Sequence, residues 1–125
     1  MPPLAQAQVR RTDALSTVVH LYERHGFPSQ FVASAGGNVR CLACERDHPA
    51  RWVPLLALHH LERPGHRGQR EPIALAAVEC PACEERGTLT LPLGDAARIE
   101  VRLVLELLDD RRDEAMVGLA PRIVA

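Results

Sequence analysis

All four cysteines fall in two pairs of identical spacing, Cys41-Leu42-Ala43-Cys44 and Cys80-Pro81-Ala82-Cys83. Two thiolates three positions apart grip one ion if the backbone turns tightly between them. Two such turns face to face close a tetrahedral site, with Zn–S distances of about 2.3 Å. The flanking residues suit that geometry. Gly36-Gly37-Asn38 supplies positions that accept positive φ, and Val39-Arg40 leads into the first pair. The run 72–78 leads into the second pair, Pro81 stiffens its turn, and Gly87 is expected to let the chain reverse. Thr88-Leu89-Thr90-Leu91 then alternates as a strand does. Cys41, Cys44, Cys80 and Cys83 are therefore the expected ligands of a structural Zn2+. The 35 residues between the pairs exceed the roughly 15–20 of compact two-pair sites, so the spacer has to hold structure of its own.

Three other readings compete. An even cysteine count permits two disulfides, but paired C-x-x-C is an awkward disulfide frame and the N-terminus lacks a secretory layout. A redox dithiol at Cys80–Cys83 would open a helix in a βαβ unit, whereas here it lies between strand-like runs. Simple core packing leaves the repeated spacing unexplained.

A chain of 125 residues makes one domain. The expected division is a flexible arm over 1–11, one domain over 12–112 and a loose tail over 113–125. Apolar residues make up 46%, but only four are Phe, Trp or Tyr, so the core must be aliphatic with a metal replacing some packing. All 15 basic residues are arginine, which fits a GC-rich genome. A formal net charge of −1 provides no general basic field for nucleic acid. No apolar run approaches the ~20 residues of a membrane span, and a soluble cytoplasmic protein with reduced thiols is expected.

Along the chain, Leu15, Val18, Val19 and Tyr22 form one apolar helical face. Thr12 or Asp13 caps that helix, and Gly26 and Pro28 end it. His20 and His25 read as surface or cap residues. Phe31-Val32-Ala33 and Val39-Arg40-Cys41 read as a hairpin, and 45–49 as a turn. His48 stands at C-x₂-C-x₃-H spacing, but four cysteines fill the metal's shell, so a supporting or a surface role is expected. Residues 52–61 are compatible with helix or strand; Trp52, Leu55, Leu56 and His59 or His60 suit a helix starting near Pro54, with Trp52 as a core anchor. Residues 59–71 read as a polar His/Arg loop. The segment 96–108 fits helix and strand alike, and its Leu, Glu and Arg content selects helix. That element is apolar over more than half its girth, so it is buried or pairs with another chain.

At its paired cysteines the chain resembles the zinc-ribbon group. More narrowly, it is similar to small four-cysteine proteins of high-GC bacteria, through Gly37, Val39, Arg40, Cys41, Cys44, Cys80, Pro81, Cys83, Gly87 and Thr88. The resemblance implies a structural zinc and no activity. Such sequences often carry Gly after the second cysteine of a pair, where this chain has Glu45 and Glu84. The expected fold is α+β: a small zinc-ribbon-like β core with two knuckles, flanked by an N-terminal and a C-terminal helix.

Two functional classes follow. One is a non-catalytic interaction module, because a closed four-sulfur site has no open coordination position. Its partner is protein or a second copy through the apolar C-terminal element. Nucleic acid is the other candidate, through Arg40, Arg63, Arg67 and Arg70. The alternative is a zinc-dependent hydrolase or deaminase-like enzyme, in which His60 and Glu62 with Cys80 and Cys83 echo H-x-E…P-C-x-x-C. Glu79 stands where that pattern has Pro, and Arg63-Pro64-Gly65 breaks the helix His60 needs.

Overall fold

The structure is a computed structural model and describes residues 14–94 and 99–113. The expected arm, the capping residues Thr12 and Asp13, and all but the first residue of the expected tail lie outside the described residues.

Helix α1 covers residues 14–24. It ends as its glycine requires: Gly26 has φ +96, and the Phe27 N–H reaches back to the Tyr22 carbonyl at 2.9 Å, a Schellman closure. Strands β1 (Ser29–Ser34) and β2 (Asn38–Cys41) form the expected hairpin, turning at Gly36 and Gly37. Strand β3 (Arg46–Pro49) pairs with β2, and a short 3-10 turn, Ala50–Trp52, follows it. Strands β4 (Pro54–Pro64), β5 (Arg70–Glu79) and β6 (Arg86–Pro92) form an antiparallel meander. Helix α2 (Ile99–Leu107) comes next, and β7 (Asp109–Asp110) pairs parallel with the start of β4.

The seven strands form one mixed sheet, in the order β3-β2-β1-β6-β5-β4-β7, which curves as a half-barrel. The α+β class therefore holds, but the sheet is far larger than the small core expected. The spacer between the cysteine pairs contributes β3, β4 and β5, and its internal pairing supplies the extra strands.

Strand β5 shows why helices lie on both faces. Residues Ile73 to Val78 are all fully buried, so neither face of this central strand meets water. Ala74, Ala76 and Val78 face the larger cluster, with Leu89, Leu91 and α2's Val104. Leu75 and Ala77 face the other, with Tyr22 and Phe27, against which Leu15, Val18 and Val19 of α1 pack. The apolar face anticipated for α1 is the one it buries. The Tyr22 hydroxyl and His59 Nε2 share a hydrogen bond at 2.6 Å, tying α1 to β4. Burial pushes the Tyr22 phenol up to about 12 and holds His59 below its ordinary value, so both stay neutral near pH 7.

Four expectations need correction here. The helix from Pro54 is strand β4. Its Leu-Leu-Ala-Leu run has good helix propensity, but pairing along all of β5 overrides that preference. A bulge between Leu55 and Ala57 also breaks the strand's alternation, so Leu56 and Ala57 lie on one face in succession. Residues 45–49 are mostly strand, and the polar segment 59–71 is mostly the two arms of the β4–β5 hairpin. Trp52 is 60% exposed beside the Arg51 guanidinium, and so does not anchor the core. The helix chosen for 96–108 is present over Ile99–Leu107, buried through Val104 and packed through Val101 and Leu105. No helix among the described residues is long and apolar enough to cross a membrane.

Candidate metal centre

The parallel pairing of β1 with β6 brings the cysteines together. Ser29 lies beside Gly87 and Phe31 beside Leu89, while Phe31 also opposes Cys41 on β2. The β2–β3 turn and the β5–β6 turn therefore emerge at the same end of the sheet. Gly87 permits this approach. It does not reverse the chain, as the sequence suggested, but sits buried inside β6, where a Cβ would collide with the Ser29 carbonyl.

The two turns have the same build. In the first, the Glu45 N–H donates to the Cys41 carbonyl at 2.8 Å, with Glu45 at φ +58. In the second, the Glu84 N–H donates to the Cys80 carbonyl at 3.1 Å, with Glu84 at φ +64. Both glutamates hold the left-handed conformation that glycine adopts most readily. The tight knuckle is thus retained, at a steric cost of about 1 kcal/mol per residue. Glu84→Gly is expected to raise stability by about 0.5–1 kcal/mol, because relief of that strain outweighs the added freedom of the unfolded chain. Thermal melting of the two proteins under identical metal loading checks this, and a lower midpoint in the variant contradicts it.

The four Sγ atoms all lie within 4.8 Å of one another. Cys41 and Cys83 are 3.8 Å apart, as are Cys44 and Cys80. A tetrahedron with metal–sulfur bonds of about 2.3 Å has edges of about 3.8 Å, so these sulfurs stand at the spacing such an ion requires. The pairs bridge the two turns, so an ion here fastens the β1–β3 half of the sheet to the β4–β6 half.

Four thiolates around a dication leave two net negative charges, and N–H groups point at them. Cys80 Sγ accepts from the Ala82 and Cys83 N–H groups, each at 3.4 Å. His48, buried on β3, places Nε2 at 3.4 Å from Cys80 Sγ and 3.8 Å from Cys44 Sγ. Of the two roles expected for it, this position fits the supporting one: with its proton on Nε2 the imidazole donates toward both sulfurs. Burial pushes the Cys41 thiol up to about 12, against its backbone donors. At Cys80 burial also opposes ionisation, but the surrounding N–H and thiol groups outweigh it and hold the thiol below its ordinary value. The donors are soft, tetrahedral and preplaced, which suits Zn2+ or another thiophilic ion.

Comparison with protein-family models, curated proteins and solved structures found no match to this chain. The reading therefore rests on the geometry alone.

The other candidate residues lie elsewhere. Arg40 neighbours Cys41 but pairs with Asp47 at 3.6 Å. Arg63 pairs with Glu71 at 3.2 Å, across the β4–β5 hairpin. Arg67 and Arg70 are exposed at that hairpin's tip. The metal centre lies past the other end of β5, roughly 30 Å away at about 3.3 Å per residue. His60 opposes Ala74 and Glu62 opposes Pro72. Cys80 lies six residues beyond Ala74, or roughly 20 Å at that rise, so His60 and Glu62 do not join the cysteines. Two features were not read from the sequence. The partly exposed side of α2, where Ile99 faces solvent and Leu103 and Leu107 reach over Gly37, is separable from its buried side only in the folded structure. The Ser29–Gly87 contact offers no local signal at all.

Proposed function

We propose that this chain is a structural-zinc protein of zinc-ribbon type, working in the cytoplasm as a non-catalytic interaction module with a protein partner. One observation carries the reading: four thiol sulfurs from two turns of the same build lie within 4.8 Å of one another, with two cross-turn pairs at 3.8 Å. A metal held by four thiolates has no free position for substrate, so its role is to hold the fold. Each knuckle joins two strands, as in a ribbon half-unit, with further strands built alongside.

The surface supports a protein partner over nucleic acid. Ile99, Leu103 and Leu107 recur every fourth residue on α2, and are 83%, 40% and 39% exposed. Trp52 lies in the short turn against which α2 packs. Two of the four arginines considered for anion contact are held by carboxylates. Partners considered for the apolar stripe are another protein or a second copy of the chain.

Elemental analysis of the purified chain, combined with its solution mass, tests this. One zinc per chain is expected. Iron in its place, visible as a coloured thiolate complex, assigns the site to electron transfer instead. A folded chain with neither metal overturns the reading. Binding to any captured partner should respond weakly to salt, since several phosphate contacts give a steep salt dependence.

A further inference from the structure

The four sulfurs are not equivalent. Cys41 and Cys80 are buried, Cys44 is half-buried and Cys83 is exposed. An oxidant arriving from solvent therefore meets Cys83 first. The Cys41 sulfur stands 3.8 Å from it on the opposite turn, and the other two sulfurs lie within 4.8 Å. Cys44 and Cys80 are equally close to each other, but both lie beside His48 Nε2, which can donate to them; backbone N–H groups of the two turns reach Cys41 and Cys80 alike, so the His48 contact is what sets Cys80 apart. Hydrogen bonds to a thiolate draw off the electron density that it needs to attack, so Cys80 is the less reactive neighbour.

We propose that Cys83 is an oxidation site: a peroxide reacts at its exposed sulfur, a Cys41–Cys83 disulfide forms, and the metal is released. The inference rests on the metal reading above.

The step balances as follows. The Cys83 thiolate attacks one peroxide oxygen, the O–O bond breaks, and the departing oxygen takes a proton and leaves as water or an alcohol. Sulfur has then lost two electrons and carries the transferred oxygen as a sulfenic acid. The Cys41 thiolate attacks that sulfur, an S–S bond forms, the S–O bond breaks, and hydroxide leaves to become water on protonation. The sulfurs close from 3.8 Å to about 2.05 Å. Two of four ligands are consumed. Cys44 and Cys80, even with His48 beside them, leave the ion one donor short of a closed shell. Because the consumed pair bridges the two turns, the disulfide keeps the halves of the sheet tied together after the ion departs. A thiol reductant reverses the bond, and added zinc restores the site.

The test adds one equivalent of hydrogen peroxide to the zinc-loaded full chain. Zinc release is followed with a metal-sensitive dye, and disulfides are mapped by mass spectrometry of non-reduced peptides. One zinc released per disulfide is expected, with the peptide containing Cys41 joined to that containing Cys83. Retained zinc after thiol loss, or a dominant Cys80–Cys83 or Cys44–Cys80 bridge, overturns the inference and leaves the metal reading intact. A folded chain without zinc before peroxide is added overturns the metal reading itself. In His48→Ala, Cys80 loses a donor, and a Cys80–Cys83 bridge is expected beside the first. A map unchanged in that variant shows that His48 does not direct the pairing.

Discussion

Cys80→Ser is expected to abolish stoichiometric metal binding and, with it, the cooperative thermal unfolding of the domain. Cys80 is fully buried within the main core cluster, and its sulfur is also one of the four clustered at the candidate metal centre. Structural zinc supplies an apparent binding free energy of about 10–16 kcal/mol at neutral pH. A domain of this size has a net stability of only about 5–15 kcal/mol. Most of that margin is lost with the metal, and a buried serine hydroxyl adds a desolvation penalty of about 1–3 kcal/mol. Zinc content, far-UV circular dichroism and calorimetry of the variant check this together. Cys83→Ser is the informative comparison, since it removes one ligand at an exposed position and should melt well above Cys80→Ser. If Cys80→Ser melts like the wild type, the ion does not hold this fold.

Gly87→Ala should cost on the order of 4 kcal/mol, among the largest losses a single added methyl group produces. Gly87 lies beside Ser29 in the only parallel pairing that joins the two halves of the described sheet. A Cβ there would overlap the Ser29 carbonyl oxygen and carbon, and would press on the Phe31 ring at 3.0 Å. Backbone cannot give way as a flexible side chain does, so β1 and β6 have to separate. Both knuckles hang from this pairing, and the variant should therefore also bind zinc more weakly. Urea unfolding measures the first effect, and competition with a chelating dye the second. Gly94→Ala is the control. Its added carbon meets nothing closer than 3.7 Å and its φ is not in the left-handed region, so a change within about 0.5 kcal/mol is expected. A Gly87→Ala protein as stable as this control would show that the close approach of β1 does not constrain the fold.

The sequence was legible where the signal is local. Helix α1 shows its apolar face at Leu15, Val18, Val19 and Tyr22 and its stop at Gly26, because side-chain spacing and glycine's freedom act within a few residues. The β1–β2 hairpin is visible for the same reason at Gly36 and Gly37. It was illegible where pairing overrides propensity. Strand β4 reads as helix or strand alike, because Leu and Ala favour a helix and its bulge disguises the alternation. Trp52 reads as core because burial is the common fate of a large ring, yet its turn leaves most of it in solvent.

At the metal centre, the spacing of the cysteines determined by itself that two equivalent turns would form, each holding two sulfurs on one side. The geometry of a three-residue separation is local, and a chain carries it wherever it folds. Only the tertiary structure decided that the turns meet. That depends on β1 lying parallel to β6, on the space an absent Gly87 side chain leaves for Ser29, and on His48 arriving from β3 at the sulfurs of Cys44 and Cys80. Each is a contact between distant parts of the chain, and free energy of that kind exists only once the sheet is assembled.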